Sequence, residues 1–320
     1  MRSLWAFVVV GWGVVAWVAH AAPPLATARL HVLTTLAPLY SWTVNVAGDL
    51  ADVENLLPAD VGPHEFQFRP RDLKKVQGAD LVILNGLGVE TWLERTLNNN
   101  SASSPTQRLV RTSDGLKAEF IYRSPLLRLD PSNTRAGPGP VTLQEDLTTG
   151  QLPNPHVWLD PCYARHGVSN ILAALTQRDP ANAQGYAVNA AAYLEKLNVL
   201  DADFRALSGR LSHPALVTFH NAFPYFARRY GFDLVGVVEE IPSVSPSPKY
   251  LSELSRVITA RNVRVIFTEP QYEPRLVRQL SRDLGIIITE LDVLETGRPS
   301  RDYYIDGMRR NLRTLDSALQ

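Results

Sequence analysis

The sequence predicts an α/β protein of two similar lobes with mainly parallel sheets, joined by a long rigid helix. Three observations carry this. Short β-rich runs alternate with helical patterns along most of the 320 residues, the signature of parallel sheets covered by helices. Several of those runs are continuously apolar, such as Leu81-Val82-Ile83-Leu84 and Val263 to Phe267, as strands buried on both faces require. One helical pattern, from about Pro180 to Leu211, is long enough to run past one lobe and support another.

In chain order, Arg2 precedes an apolar run from Leu4 to Val18 that ends in Ala19-His20-Ala21, a small-x-small site. Residues 1–21 therefore read as a cleaved secretory signal, the run being short for a membrane span of ~20 residues. The first lobe is expected over residues 22–179. Its strands fall at Leu30 to Thr34, Val53 to Leu57 and Asp80 to Asn85. From Arg123 to Pro155 the prolines and glycines recur without periodicity, which predicts a long loop. The linking helix, 180–211, has Asp179 as its cap and Pro180 at its first position. Tyr186, Ala190, Tyr193, Leu197, Leu200, Phe204, Leu207 and Leu211 recur at steps of four and three to form one apolar stripe. Such a helix either joins two lobes or lies within one, and its length favours the link. The second lobe, 212–320, has strands at Ala215 to Phe219, Leu234 to Val238, Val263 to Thr268 and Gly285 to Leu291.

Composition narrows the function classes. The 32 basic and 32 acidic side chains cancel, and no basic stripe interleaved with aromatics appears, so nucleic acid is not an expected partner. The single Cys162 cannot form an internal disulfide, and no cysteine follows the cleavage site to carry a lipid anchor. A soluble, monomeric periplasmic protein is expected.

The seven histidines divide by context. His20 leaves with the signal, while His31, His166 and His213 read as structural or surface residues. His64 follows Gly62-Pro63 and His156 follows Pro153-Asn154-Pro155, where prolines fix the backbone. His220 ends the run from Ala215 to Phe219, at the carboxyl end of a strand, outside which α/β sheets bind ligands. Asp292 closes the run from Gly285 to Leu291 in the same way and is a plausible fourth ligand; an exposed cap or salt-bridge partner is the plainer reading of it alone. No compact motif such as His-Glu-x-x-His is present, so a metal site has to be assembled from distant segments. Three imidazoles and a carboxylate suit Zn2+ and tolerate Mn2+ or Fe2+.

These residues lie in blocks that resemble the metal-binding, substrate-binding proteins of ABC transporters, the zinc and manganese uptake group. The blocks are Pro63-His64-Glu65-Phe66-Gln67, Pro70-Arg71-Asp72-Leu73, the stretch from Ala79 to Glu90, Asn154-Pro155-His156-Val157-Trp158-Leu159-Asp160-Pro161, the stretch from Phe219 to Ala227, Ser245-Pro246-Ser247-Pro248-Lys249 and Phe267-Thr268-Glu269-Pro270-Gln271. The resemblance implies one metal held in the cleft between two lobes by His64, His156, His220 and Asp292, and delivery to the membrane permease of an ABC importer. A histidine in the third position is similar to the zinc-type members. Two departures stand out. Leu291-Asp292-Val293 replaces the family's Leu-Asp-Pro, which leaves Glu290 or Glu295 as substitutes for Asp292, and the His-rich acidic loop of many zinc-type members is missing from 123–155. The competing classes are an exported zinc hydrolase, with a carboxylate as general base, and an adhesin or scaffold, for which no large apolar or charged patch is visible in the sequence.

Overall fold

The computed structural model describes residues 29–99, 109–116, 120–121, 153–212, 214–239, 245–272 and 275–320. The expected signal segment, nearly all of the 123–155 loop and His213 lie outside them. Two four-stranded sheets, parallel throughout, form the framework. The first contains β1 (Leu30–Thr34), β2 (Ala51–Asn55), β3 (Leu81–Leu84) and β4 (Leu109–Arg111) in the order β2-β1-β3-β4. The second contains β5 (Ala215–His220), β6 (Asp233–Glu239), β7 (Val265–Thr268) and β8 (Ile287–Glu290) in the order β6-β5-β7-β8. In both, the strand order reverses direction beside the first strand, and there the carboxyl ends open a crevice.

The helices that cover the first sheet and its flank are α1 (Ala37–Ala47), α2 (Pro70–Gly78), α3 (Thr91–Asn99) and α4 (Pro161–Arg178). Linking α5 (Ala183–Ser208) begins after a 3-10 turn at Pro180–Asn182, later than the sequence suggests. Asp179 does not cap the helix backbone; its Oδ2 accepts hydrogen bonds from Asn182 and Tyr186 and tightens the turn. The seven stripe residues from Tyr186 to Leu207 are buried, and the 26-residue helix extends roughly 39 Å at ~1.5 Å per residue.

Helices α6 (Pro224–Tyr230), α7 (Pro248–Ala260) and α8 (Arg275–Leu284) belong with the second sheet. The last helix, α9 (Tyr303–Ala318), does more. It packs on α5 and α1 as well as on β8. Ser41 Oγ and Asn45 Nδ2 of α1 both donate to Arg301 O at 2.7 Å, and the Tyr304 ring meets Trp42 edge-on at 5.3 Å. The chain thus ends by crossing back onto the first sheet's helices. Its main apolar core is correspondingly continuous, running from β1, β3 and α1 through α5 to Leu216, Phe226, Val265 and Leu294.

Trp42 sits at that junction, 1% exposed, with Gly167 of α4 leaving room for its ring: a Cβ at Gly167 would lie 2.8 Å from Trp42 Cζ3. Trp42→Ala should therefore lower unfolding free energy by about 3–5 kcal/mol in urea titrations, the usual cost of emptying a large aromatic site.

Candidate metal centre

Each element end delivers one donor. β2 runs out at Asn55, and the loop behind it, tied by Leu56 N to Thr34 O (2.8 Å) and by Asn55 Nδ2 to Leu57 O (2.9 Å), carries His64. His156 precedes the 3-10 turn Val157–Leu159 that leads into α4. His220 is the last residue of β5, at the crevice of the second sheet. The fourth member is Glu295. One ligand atom from each of these four residues lies within 4.8 Å of the others. His156 Nε2 is 3.4 Å from His64 Nε2, 3.1 Å from His220 Nε2 and 3.2 Å from Glu295 Oε1. Among the described residues, this is the group of histidine, cysteine and acidic side chains whose geometry can hold a metal ion.

Asp292, expected as the fourth ligand, is not in the group. The strand ends at Glu290, so alternation no longer governs the residues behind it. Asp292 Oδ1 accepts from Leu294 N at 2.8 Å, its Oδ2 lies 3.4 Å from Arg310, and its backbone is clasped by Asn311 of α9. Its carboxylate shapes the loop. Leu294 then adopts φ 59°, a left-handed conformation unusual for a branched side chain, and this reversal turns Glu295 into the cleft. Trp158 Nε1 donates to Val293 O at 2.8 Å, fastening that loop to the His156 turn. Glu290 stays exposed at the strand end. Sequence reasoning held Glu295 only as a substitute, because nothing in periodicity announces a left-handed leucine.

The neighbours of the imidazoles determine which nitrogen faces the cluster. Asn154 Oδ1 accepts from both the backbone N (3.0 Å) and Nδ1 (2.9 Å) of His156, which places the ring proton on Nδ1 and leaves the Nε2 lone pair toward the other donors. Glu269, directly after β7, meets His220 Nδ1 in a short contact and also faces its backbone N. Gln271 Nε2 in turn holds Glu269 Oε2 at 2.9 Å. Burial, and then the Glu295 charge, push the Glu269 carboxyl well above the usual carboxylate range. A cation at the cluster would offset that repulsion and favour the ionised carboxylate behind His220.

Burial dominates the electrostatics of the centre. It pushes His156 down to about 3, reinforced by the neighbouring His220 and His64. For Glu295 burial acts upward, yet the surrounding imidazoles outweigh it and hold the carboxyl below its ordinary value. Neither Glu295 oxygen has a hydrogen-bond donor, and the side chain is fully buried. A neutral His156 and an ionised Glu295, with His64 and His220 beside them, supply the donor types of a zinc site.

With that geometry in place, the comparison with known proteins is decisive. Residues 32–318 match the family described as ZnuA, zinc-uptake complex component A, periplasmic. The chain belongs to this family. A Bacillus subtilis relative, "High-affinity zinc uptake system protein ZnuA", is 29% identical over 91% of this chain and 88% of its own length. The zinc-binding lipoprotein AdcA of Streptococcus pneumoniae is 30% identical, but the chain spans only 56% of that longer protein. Among solved structures, the SBP FpvC of Pseudomonas aeruginosa in complex with Ni2+ superposes with a TM-score of 0.73 at 30% identity, covering 91% of this chain and 97% of that one. Membership of the ZnuA family sets the chain among binding proteins rather than enzymes. The superposition on FpvC extends over nearly the whole of that chain, so the two share this α/β fold.

In the metal-free protein, the His156 ring should remain neutral as pH falls below the ordinary histidine value of 6.5, gaining its proton only near 3. Nitrogen chemical shifts of a histidine-labelled sample check this. They should show one protonated nitrogen, Nδ1, at pH 5, where an ordinary imidazole carries two.

Proposed function

We propose that this protein is the extracytoplasmic binding component of a metal importer: it captures one divalent transition-metal ion, zinc in the first instance, and hands it to the membrane permease of an ABC transporter. The observation that carries the reading is the buried, donorless carboxylate of Glu295 set among three imidazole nitrogens. A carboxylate in such a place is costly unless a cation completes it. We assign the ligands as His64, His156, His220 and Glu295, with Asp292 as the residue that shapes the Glu295 loop.

Zinc is favoured by the chemistry of the donor set and by the ZnuA and AdcA relatives. Because Glu295 offers two oxygens, the same site suits a higher coordination number and hence Mn2+ as a lesser cargo. The complexes of FpvC with Ni2+ and Mn2+ are consistent with that breadth. A periplasmic location follows the signal-like residues 1–21, and no helix among the described residues is long and apolar enough to cross a membrane.

Competition titration against a zinc chelator tests the ligand assignment. Glu295→Ala should weaken affinity on the order of 100-fold or more, beyond what loss of an orienting neighbour costs. Asp292→Ala should bind with less than tenfold change, its defect appearing as lower thermal stability. The reverse ranking would sink the assignment. Glu269→Gln should fall between the two, about 10–100-fold weaker, by the ordinary cost of losing a group that orients a ligating histidine.

A further inference from the structure

His64 differs from the other ligands in how it is held. His156 and His220 are almost wholly buried, and each ring is fixed from behind by Asn154 or Glu269. They are also tied to each other across the two halves of the chain: Asn154 Nδ2 donates to Asn221 O at 2.7 Å, and Tyr225 Oη donates to Asn154 O at 2.8 Å. His64, by contrast, is partly exposed, on an irregular stretch from Pro58 to Arg69. That stretch is anchored near its ends. Gly297 N reaches Ala59 O at 2.6 Å, and Phe66 and Phe68 pack on Trp92 with ring centroids 4.8 and 5.5 Å away.

Between those anchors, besides the contacts of His64 itself with Glu295 and His220, a hydrogen bond crosses from the first half of the chain to the second. Tyr272 Oη donates to Glu65 Oε1 at 2.7 Å, across 207 residues of sequence. Both ends are placed for a task. Glu65 is the residue next to His64, and its other oxygen folds over Gly62, where a Cβ would lie 2.7 Å from Glu65 Oε2 and 3.6 Å from Glu295 Oε2. Tyr272 stands three residues beyond Glu269, with its N bonded to Glu269 O at 3.1 Å and its ring 5.0 Å from Phe219, the neighbour of His220. Burial and the Glu65 charge push the phenol up, so it stays a donor. A partly exposed ligand has thus been latched to the segment that secures a buried one.

We propose that Glu65 and Tyr272 are positioning residues that clamp the His64 segment over the cleft and so set the rate at which the metal leaves. This rests on the metal-capture reading above. In it, His64 is the ligand that releases first, because its segment can lift without disturbing the tied pair His156 and His220. The Tyr272–Glu65 hydrogen bond opposes that lift. Its loss should act on dissociation far more than on association, since encounter requires only that the cleft be open.

The test uses the full mature chain and two measurements. Chelator-driven stopped-flow release of zinc should be about tenfold faster in Tyr272→Phe, the scale expected for one charge-assisted hydrogen bond. Glu65→Ala should match it, and the double variant should be no faster than either single, because both remove the same bond. Far-UV circular dichroism and the melting temperature of the metal-free protein should be unchanged. An unchanged release rate, or single effects that multiply in the double variant, would overturn the latch. Amide hydrogen exchange on the metal-free protein gives a readout independent of cargo: residues 60–66 should exchange faster in Tyr272→Phe. Unaltered exchange there overturns the latch even if zinc binds as proposed. Wild-type protein that binds no stoichiometric zinc would instead defeat the capture reading, while faster exchange in the variant would still uphold the clamp.

Discussion

The structure depends on a carboxylate buried with nothing to donate to it. Removing a charge from water costs several kcal/mol after relaxation, and the groups nearest the Glu295 carboxylate are the nitrogens of His64, His156 and His220. Of these rings, His156 presents a lone pair rather than a proton, because Asn154 Oδ1 accepts at its far side. Three imidazoles and a carboxylate have been brought together, an arrangement that suits a cation. The fold must hold these groups in place.

Rigidity supplies that force. The core runs without a break from the first sheet through α5 to the second, and α9 returns to pack on α1. Polar ties reinforce it where the two sheets' loops meet. Arg229 of α6 donates to Asp160, the N-cap of α4, at 2.8 Å, while Arg228 reaches Tyr163 at 2.6 Å. Tyr230 and Arg205 converge on Asp201 of α5. These bonds join the segment behind His220 to the segment behind His156, so those two histidines are held as one unit. The His64 stretch is the part of the site with least to lose by moving.

What the sequence by itself determined was whatever repeats or sits at a strand end. Alternating β and α patterns, apolar strand cores and the stripe on α5 came from periodicity, which is a local consequence of backbone geometry. His64, His156 and His220 were legible because prolines or a strand terminus marked their positions, and the resemblance to a known family drew them together. β4 was missed: three residues are too few to show a period. What only the tertiary structure decided was which carboxylate stands with the three histidines. Asp292 looked right because it closes a strand-like run, but Asn311 and Arg310 of α9 claim it, and the left-handed turn at Leu294 presents Glu295 instead. Those partners lie 15 or more residues downstream, on a helix whose return to the first sheet no local pattern encodes. The carboxylate that lies with the histidines is therefore chosen by packing between distant segments, the one level of organisation that spacing along a chain does not record.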